Sequence, residues 1–290
     1  MIVRFSVPKT FDLRRCVSSG QVFRWHEDEP DLWFGVDGEH WYQVEEQAHE
    51  YVIASNANLD AFVQLFDLEC NVSDEEARLL TVGPELKEPI LRTRGLRLMK
   101  PSCPVEAMFS FLCTSNNHIA RITSMVRRLS AYGETLDGQT HCRFPDLAAI
   151  ARIQECELRT HGFGYRAATI PRVASILLDR YRSPIAALQD MPDQELRASL
   201  ASLPGIGPKL ADCIMVYAFH RRRVFPVDTH VWHAAAPIYF PDWPIEGATE
   251  RKMQQLSELL CDRFGDLAAR AQQILFADRL LNSRASRRAP

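Results

Sequence analysis

Leu203-Pro204-Gly205-Ile206-Gly207-Pro208-Lys209-Leu210-Ala211-Asp212 is followed, 19 positions after its lysine, by Asp228 in Pro226-Val227-Asp228-Thr229-His230. Two glycines one residue apart let a chain turn tightly between two helices and leave successive backbone N–H groups free. Those donors, with the N-terminus of the helix that follows, suit a phosphate oxygen. As a turn pattern alone, the stretch serves equally well as a plain connection between two helices. Lys209 adds chemistry to it. Lys9, Lys87, Lys100, Lys209 and Lys252 are the only lysines, and arginine makes up the rest of the 34 basic residues. Arginine stays protonated, whereas a lysine amine can lose its proton and attack carbon. Asp228 precedes a predicted helix from Thr229 to Ile238, where a carboxylate caps free N–H groups. The same carboxylate, held beside a lysine, can orient the amine or stabilise positive charge developing on a sugar. His230 reads either as a packed side chain or as a phosphate contact.

Outward from this stretch the helical pattern persists. Ile119, Ile122, Val126 and Leu129 step by three and four residues, the period of a buried helix face, and Gly133 is a plausible stop. Further helices are predicted near 147–160, 166–181, 193–201, 208–219, 229–238, 250–263 and 266–281. Pro104, Pro171, Pro184, Pro192 and Pro204 lie near predicted starts or breaks. The first ninety or so residues read differently. Leu32–Val36 and Glu39–Val44 flank Asp37-Gly38, a strong hairpin signal. Tyr51–Ala54 offers another strand, and 59–68 reads as a helix. The fold class is therefore α+β: residues 1–99 form a small antiparallel β domain with short helices, and residues 100–290 a larger all-α domain.

Composition bounds the function. A chain of 290 residues, 46% hydrophobic and 24% charged, reads as soluble and globular. No apolar run approaches a membrane span, so no membrane partner is expected. Met1-Ile2-Val3-Arg4-Phe5 lacks the basic start and long apolar stretch of a secretory signal, so an intracellular location is expected, cytoplasm or nucleus by cell type. The eight cysteines are scattered without a CxxC pair, which predicts reduced thiols and neither a zinc ribbon nor an iron–sulfur loop. The net charge of −3 does not advertise nucleic-acid binding. Binding needs only a basic face, however, and Arg92, Arg94, Arg97 with Lys100, then Arg221-Arg222-Arg223, then Arg284, Arg287 and Arg288 are candidates, each readable also as solvated surface.

Five runs, in order around the Lys209–Asp228 pair, carry a family resemblance. They are Ser19-Gly20-Gln21-Val22-Phe23-Arg24-Trp25, then Phe109 to Thr123 with Asn116-Asn117-His118 at its centre, then Gly162-Phe163-Gly164-Tyr165-Arg166-Ala167, then Pro226 to Trp232, then Ala271-Gln272-Gln273-Ile274-Leu275-Phe276. The chain resembles the helix–hairpin–helix superfamily of DNA glycosylases and, within it, the 8-oxoguanine DNA glycosylase/AP lyase family. The resemblance covers nearly the whole chain. It implies a TATA-binding-protein-like β domain ahead of a helix–hairpin–helix glycosylase domain, acting as a monomer on double-stranded DNA that contains oxidised guanine, with no cofactor and no metal.

A base inside a duplex is out of reach, so an excising enzyme must flip the nucleotide out. The resemblance implies that Asn116 fills the vacated space, Tyr165 wedges beside the orphaned partner base, and Arg121 and Arg166 donate to that cytosine. Asn117 is expected to brace the turn, as asparagine side chains often do. The lesion carries a hydrogen on N7 where guanine has a lone pair, and the backbone carbonyl of Gly20 is implied to accept from it. Gln272 would read the Watson–Crick edge, Phe276 and Cys213 would sandwich the base, and Tyr217 would border it. Gly205, Gly207 and His230 would hold phosphate. Lys209 would attack C1′, Asp228 would stabilise the cationic sugar, and the Schiff base would permit β-elimination. To be neutral near pH 7, Lys209 is expected to have a lowered pKa.

His118 stands where a third asparagine is common in the family, and Tyr217 where methionine is common. Both bear on fine preferences and not on the reaction class. Two other readings fit parts of the pattern. An alkylated-base glycosylase of the same superfamily would use Asp228 without needing Lys209, and a non-catalytic damaged-DNA binding module would explain the hairpin but not the Lys–Asp pair.

Overall fold

The protein is described from a computed structural model that covers residues 2–6, 8, 10–47, 50–136 and 140–286. The basic tail cluster of Arg284, Arg287 and Arg288 lies outside the described side chains. The chain opens with β1 (Ile2–Ser6), α1 (Leu13–Val17), β2 (Trp25–Glu29), β3 (Leu32–Asp37), β4 (His40–Gln47) and β5 (Glu50–Ser55). These strands form one antiparallel sheet in the order β1-β5-β4-β3-β2. The predicted hairpin is present with its turn one residue later than the sequence suggested. Asp37 pairs with His40, so the loop is Gly38-Glu39, and of these two only Gly38 has a positive φ, +59°. A glycine-first loop matches the twist of the flanking strands. Asp37 stays in the strand because its buried carboxylate has another partner. Both oxygens accept from the Ser102 N–H, at 2.9 and 3.1 Å, which ties the hairpin to the helical part of the chain.

Four helices follow or interrupt the sheet: α1 already named, then α2 (Leu59–Leu65), α3 (Val72–Val82) and α4 (Lys87–Arg92). Phe11, Trp25, Tyr42, Phe62 and Phe66 pack the sheet against α1 and α2. The helices α3 and α4 bury Leu79, Leu86 and Ile90 in a different core, shared with Phe225, Trp232, Leu256 and Ile274 from the far end of the chain.

The remaining helices are α5 (Pro104–Leu112), α6 (Ile119–Ser130), α7 (Leu147–Arg152), α8 (Glu155–Thr160), α9 (Arg166–Arg180), α10 (Pro184–Asp190), α11 (Asp193–Ala201), α12 (Pro208–Phe219), α13 (Thr229–Tyr239), α14 (Glu250–Phe264) and α15 (Ala268–Ser286). The segment 147–160, expected as one helix, is two, because Ile153 and Gln154 adopt extended backbone between them. Pro104 and Pro184 open helices as expected, while Pro171 lies inside α9 and does not end it. The main helical core joins α5, α6, α9 and α12 through Phe109, Leu112, Val126, Ile170 and Ile214.

A buried arginine and several ion pairs fasten segments distant in the chain. Arg97 is 2% exposed and donates to the carbonyls of Asp67 and Cys70 and to the Thr10 hydroxyl. Arg92 grips Asp278 of α15 with two bonds, at 2.6 and 3.0 Å. Lys100 pairs with Asp67, and Arg222 with Glu75. Arg221 donates to the carbonyls of Gln189 and Met191. Most of the first two basic clusters therefore serves the fold, since these cations are held in place by acids and carbonyls of the protein itself. Arg94 and Arg223 stay exposed.

The sheet depends on one small residue. A Cβ on Gly35 would lie 2.0 to 2.4 Å from the Trp25 ring, which stacks on Tyr42 at 5.7 Å. Gly35→Ala is expected to cost about 1–3 kcal/mol through overpacking. Urea unfolding should show a lower midpoint with an unchanged slope.

Candidate active site

The hairpin sits where the sequence placed it, between α11 and α12. Leu203 and Ile206 are buried, and the Ile206 N–H donates to the Leu203 carbonyl at 3.2 Å, which closes the turn. The two glycines have different reasons to be there. Gly205 has a φ of +79°, and a Cβ on it would lie 2.8 Å from the Thr169 methyl, so the fold itself demands glycine. Gly207 caps α12 in extended conformation with no side-chain cap, and a Cβ on it would meet nothing within 4 Å. The exposed N-terminus of α12 is therefore left open, with unbonded N–H donors facing outward.

A cavity of about 640 Å³ opens beside Lys209. That size suits a planar heterocycle with part of its sugar. Along α12, Lys209, Cys213 and Tyr217 are four residues apart and so form one stripe of its wall. Along α15, Gln272, Phe276 and Leu280 form a second stripe at the same spacing. Gly20, Phe23, Phe111 and Asn117 line it as well, with Asp228 and His230. Gly20 has a φ of +78°, and a Cβ there would lie 3.2 Å from the Phe276 ring, so only glycine lets the backbone come this close. Gln272 is buried and its side-chain oxygen has no protein partner. An orphaned acceptor inside a cavity is costly unless a ligand donor satisfies it.

Asp228 does cap α13: its Oδ1 accepts from the Val231 N–H at 2.8 Å. His230 is exposed at the rim and meets the Phe276 ring edge-on, at 5.8 Å and 89°. The charge state of Lys209 corrects one expectation. Burial pushes its pKa down, but Cys213 and the Asp228 carboxylate outweigh that and hold it above the usual lysine range. No cation is close enough to depress it, so the amine is an ammonium in the free protein. Burial in turn pushes the Cys213 thiol up to about 11. At neutral pH the anion facing Lys209 is Asp228.

The other candidates gather on an adjoining exposed ridge. Asn116 is exposed and left-handed, with a φ of +50°, at the tip of the α5–α6 turn. Asparagine tolerates that region better than most residues. Asn117 braces the turn, donating to the Cys113 carbonyl at 3.0 Å and accepting from the His118 N–H at 3.1 Å. The His118 ring caps α6 through the Arg121 N–H at 3.3 Å. Tyr165 is 56% exposed, and its hydroxyl donates to the Ser115 carbonyl at 3.3 Å. Arg121 reaches from α6 to the Gly162 carbonyl at 3.1 Å, which ties the two turns together. Arg166 is not displayed as expected. It is 5% exposed, lies beneath the Tyr165 ring at 4.5 Å and donates to the Ser115 carbonyl. In the free protein it underlies the Tyr165 ring and is spent on the Ser115 carbonyl.

Phe23, Phe111, Thr114, His118 and Gln273 line the cavity without having been singled out as site residues. The phenylalanines read as core because they are core on one side. The only signal for Gln273 was a polar residue beside Gln272 in an otherwise apolar helix face. Among the described residues no cluster of three or more His, Cys, Asp or Glu side chains could hold a metal ion.

A lysine–carboxylate pair beside a helix–hairpin–helix turn and a base-sized cavity defines a base-excision DNA repair enzyme. Family models agree with that class: the HhH-GPD superfamily base excision DNA repair protein model matches residues 109–259, and the 8-oxoguanine DNA glycosylase N-terminal domain model matches residues 4–108. The chain belongs to the 8-oxoguanine DNA glycosylase family, a group of bifunctional glycosylase/AP-lyase enzymes that act on duplex DNA. It is 31% identical to N-glycosylase/DNA lyase OGG1 of Arabidopsis thaliana over 272 residues, spanning 89% of this chain and 74% of the relative. Its fold is similar to MBOgg1 solved with a low-affinity DNA ligand, with a TM-score of 0.86, 26% identity, and 97% and 96% of the two chains covered. It is also similar to the 8-oxoguanine glycosylase/lyase of Clostridium acetobutylicum solved with DNA containing cytosine opposite 8-oxoG, with a TM-score of 0.84, 25% identity and 98% of each chain covered.

The two hairpin glycines can be separated experimentally. Gly205→Ala should destabilise the protein by about 1–2 kcal/mol, since it forces a left-handed alanine. Gly207→Ala should leave thermal stability unchanged and weaken duplex binding, since its methyl occupies the approach to the α12 donors. Melting curves and fluorescence anisotropy on the same preparations would check both.

Proposed function

We propose that this enzyme excises 8-oxoguanine opposite cytosine, with Lys209 as nucleophile and Asp228 as its electrostatic partner. The observation that carries the reading is that Lys209 and Asp228 share one cavity with the backbone of Gly20, the ring of Phe276 and the unpartnered oxygen of Gln272. A flipped guanine-type base offers N1–H and N2–H donors on its Watson–Crick edge, which is what an orphaned carboxamide oxygen lacks. Phe276 and Cys213 bound the slot for its two faces. Gly20 brings main chain to the imidazole edge, where an acceptor carbonyl favours N7–H and repels the guanine lone pair. Leaving that bond unmade in a buried site supplies the discrimination.

The chemistry then follows from Lys209. Once its amine has lost a proton, nitrogen attacks C1′ and the C1′–N9 bond breaks, with the electron pair leaving on the base. The Asp228 carboxylate stabilises the positive charge that gathers on the sugar. Ring opening gives an imine between Lys209 and C1′. Loss of a C2′ proton and departure of the 3′ phosphate with the C3′–O bonding pair complete β-elimination. Gly205, Gly207 and His230 are assigned to phosphate contacts beside the nucleophile. Asn116 and Tyr165 are assigned to the gap and the orphaned partner base. Arg121 is assigned to that base directly, and Arg166 reaches it only by leaving Ser115. A lysine in this cavity weighs against both a water-only alkylated-base glycosylase and a non-catalytic binding module.

Single-turnover assays on an 8-oxoguanine:cytosine duplex test the assignment. Borohydride should trap a covalent adduct with the wild-type protein and none with Lys209→Gln. A protein that binds the duplex and releases no free base would sink the proposal. Because Asp228 raises the Lys209 pKa, and only the neutral amine attacks, the trapping rate should climb with pH on the alkaline side. Asp228→Asn removes that anion, so the climb should shift to lower pH while the maximal rate falls by about 100-fold or more. Asparagine caps a helix as well as aspartate does, so α13 and much of the DNA affinity should persist. Arg121→Ala should narrow the rate difference between cytosine and other opposite bases by about tenfold, and an unchanged preference would remove Arg121 from the site.

A further inference from the structure

Gly20 is the residue on which lesion reading rests in the proposed function, and glycine is the residue least able to hold its own conformation. The direction of its carbonyl is set by the peptide units on either side. Downstream, the buried Gln21 side chain is bonded three times. It donates to the Arg97 carbonyl and the Ser19 hydroxyl, both at 2.9 Å, and accepts from the Met99 N–H at 2.9 Å. Upstream, the Ser19 carbonyl, which shares a peptide plane with the Gly20 N–H, accepts from Gln273 Nε2 at 3.2 Å. The Gln273 side-chain oxygen in turn accepts from the Tyr217 hydroxyl. Tyr217 is held by stacking on Phe111 at 5.0 Å, with ring planes 11° apart.

Both Tyr217 and Gln273 border the cavity, yet they are only 3% and 2% exposed. Burial pushes the Tyr217 hydroxyl well above its ordinary range, so it remains a donor. That fixes the direction of the chain of bonds. Gln273 must turn its oxygen to Tyr217 and its NH2 to Ser19. Gln272 and Gln273 are adjacent, about 100° apart around α15, and do different work. Gln272 meets the cavity with an unpartnered oxygen, while Gln273 spends both ends on protein groups.

We propose that Tyr217 and Gln273 are positioning residues that orient the Ser19-Gly20 peptide, and through it the carbonyl that separates 8-oxoguanine from guanine. The proposal rests on the reading of the cavity as an 8-oxoguanine pocket. It separates base excision from strand cleavage. An abasic site carries no base to read, so Schiff-base formation there does not need a correctly aimed Gly20 carbonyl.

Two assays on the full-length protein test it: single-turnover base release from an 8-oxoguanine:cytosine duplex, and borohydride trapping on the same duplex carrying a preformed abasic site. Gln273→Leu should slow base release on the order of tenfold, the worth of one net hydrogen bond, and leave abasic-site trapping at the wild-type rate. Tyr217→Phe should slow release by itself and add little on top of Gln273→Leu, because both break one chain of bonds. Gln273→Glu gives a second, independent readout. Its carboxylate accepts from Tyr217 but cannot donate to Ser19, so release relative to wild type at the same pH should be slow where that carboxyl is ionised and recover as the pH falls and it gains a proton.

Wild-type release in Gln273→Leu, parallel loss in both assays, strictly additive losses in the double variant, or a pH profile in Gln273→Glu that stays flat relative to wild type would each overturn the relay. A wild-type protein that traps on abasic DNA but releases no 8-oxoguanine would instead overturn the substrate assignment, and the relay with it.

Discussion

Lys209 stands in the first turn of a helix that is held on all sides. From Leu210 to Phe219 every residue of α12 is buried, and α12 packs against α5 and α11 at the centre of the main core. The open backbone donors at Gly207 and the amine of Lys209 therefore belong to one rigid body. A helix advances about 1.5 Å per residue, so the separation between a phosphate held at its start and a carbon facing its first turn is set by backbone geometry. The cavity is built on the same stripe, because Cys213 and Tyr217 follow Lys209 at four-residue steps. The segment between α1 and β2, the start of α13, and α15 supply facing walls.

The electrostatics of the free protein favour a resting enzyme. Asp228 is fixed by its bond to the Val231 N–H, and its charge helps hold Lys209 as an ammonium. An ammonium is no nucleophile, so a proton must leave before attack. The carboxylate that suppresses the amine is also the group that meets cationic character at the sugar once reaction begins. One residue thus serves as helix cap, keeper of the resting charge state and stabiliser of the transition state. Away from the cavity, ion pairs have a mechanical task. Arg92 with Asp278, and the buried Arg270 with Glu75 and Glu76, join α4 and α3 to α15, which carries Gln272 and Phe276. The position of those side chains thereby depends on residues from the first third of the chain.

Much of the fold was legible because periodicity reports a buried face directly. The helices at 119–130, 166–180, 208–219 and 229–239 follow from the spacing of their apolar residues, and the 32–47 hairpin from strands around a glycine turn. The misplacement of that turn by one residue has a specific cause. Asp37 looked like a turn residue, and its carboxylate is instead used by the Ser102 N–H, a partner 65 positions away that no local pattern shows. The short helices α4 and α10 were missed because their apolar faces are too brief to show a period, and α3 because a glutamate, Glu75, sits between Val72 and Leu79 on its buried face. The basic clusters misled for the opposite reason: their partners are acids and carbonyls distant in sequence.

The sequence by itself determined the chemical inventory: one lysine at a glycine hairpin, an aspartate at the next helix start, and a run-by-run resemblance that named the pocket residues. Side-chain chemistry and helical spacing are local properties, so a linear chain can display them. Only the tertiary structure decided which groups are free to act. It left the Gln272 oxygen unpartnered, bent Gln273 to the Ser19 carbonyl, buried Arg166 beneath Tyr165 and set Lys209 against the Asp228 carboxylate instead of a cation. The Arg166 bond to Ser115 spans 51 residues and the Gln273 bond to Ser19 spans 254, and even Lys209 and Asp228 meet only because the chain folds back between α12 and α13. Hydrogen-bond satisfaction and local charge are sums over neighbours in space, and no stretch of sequence contains those neighbours.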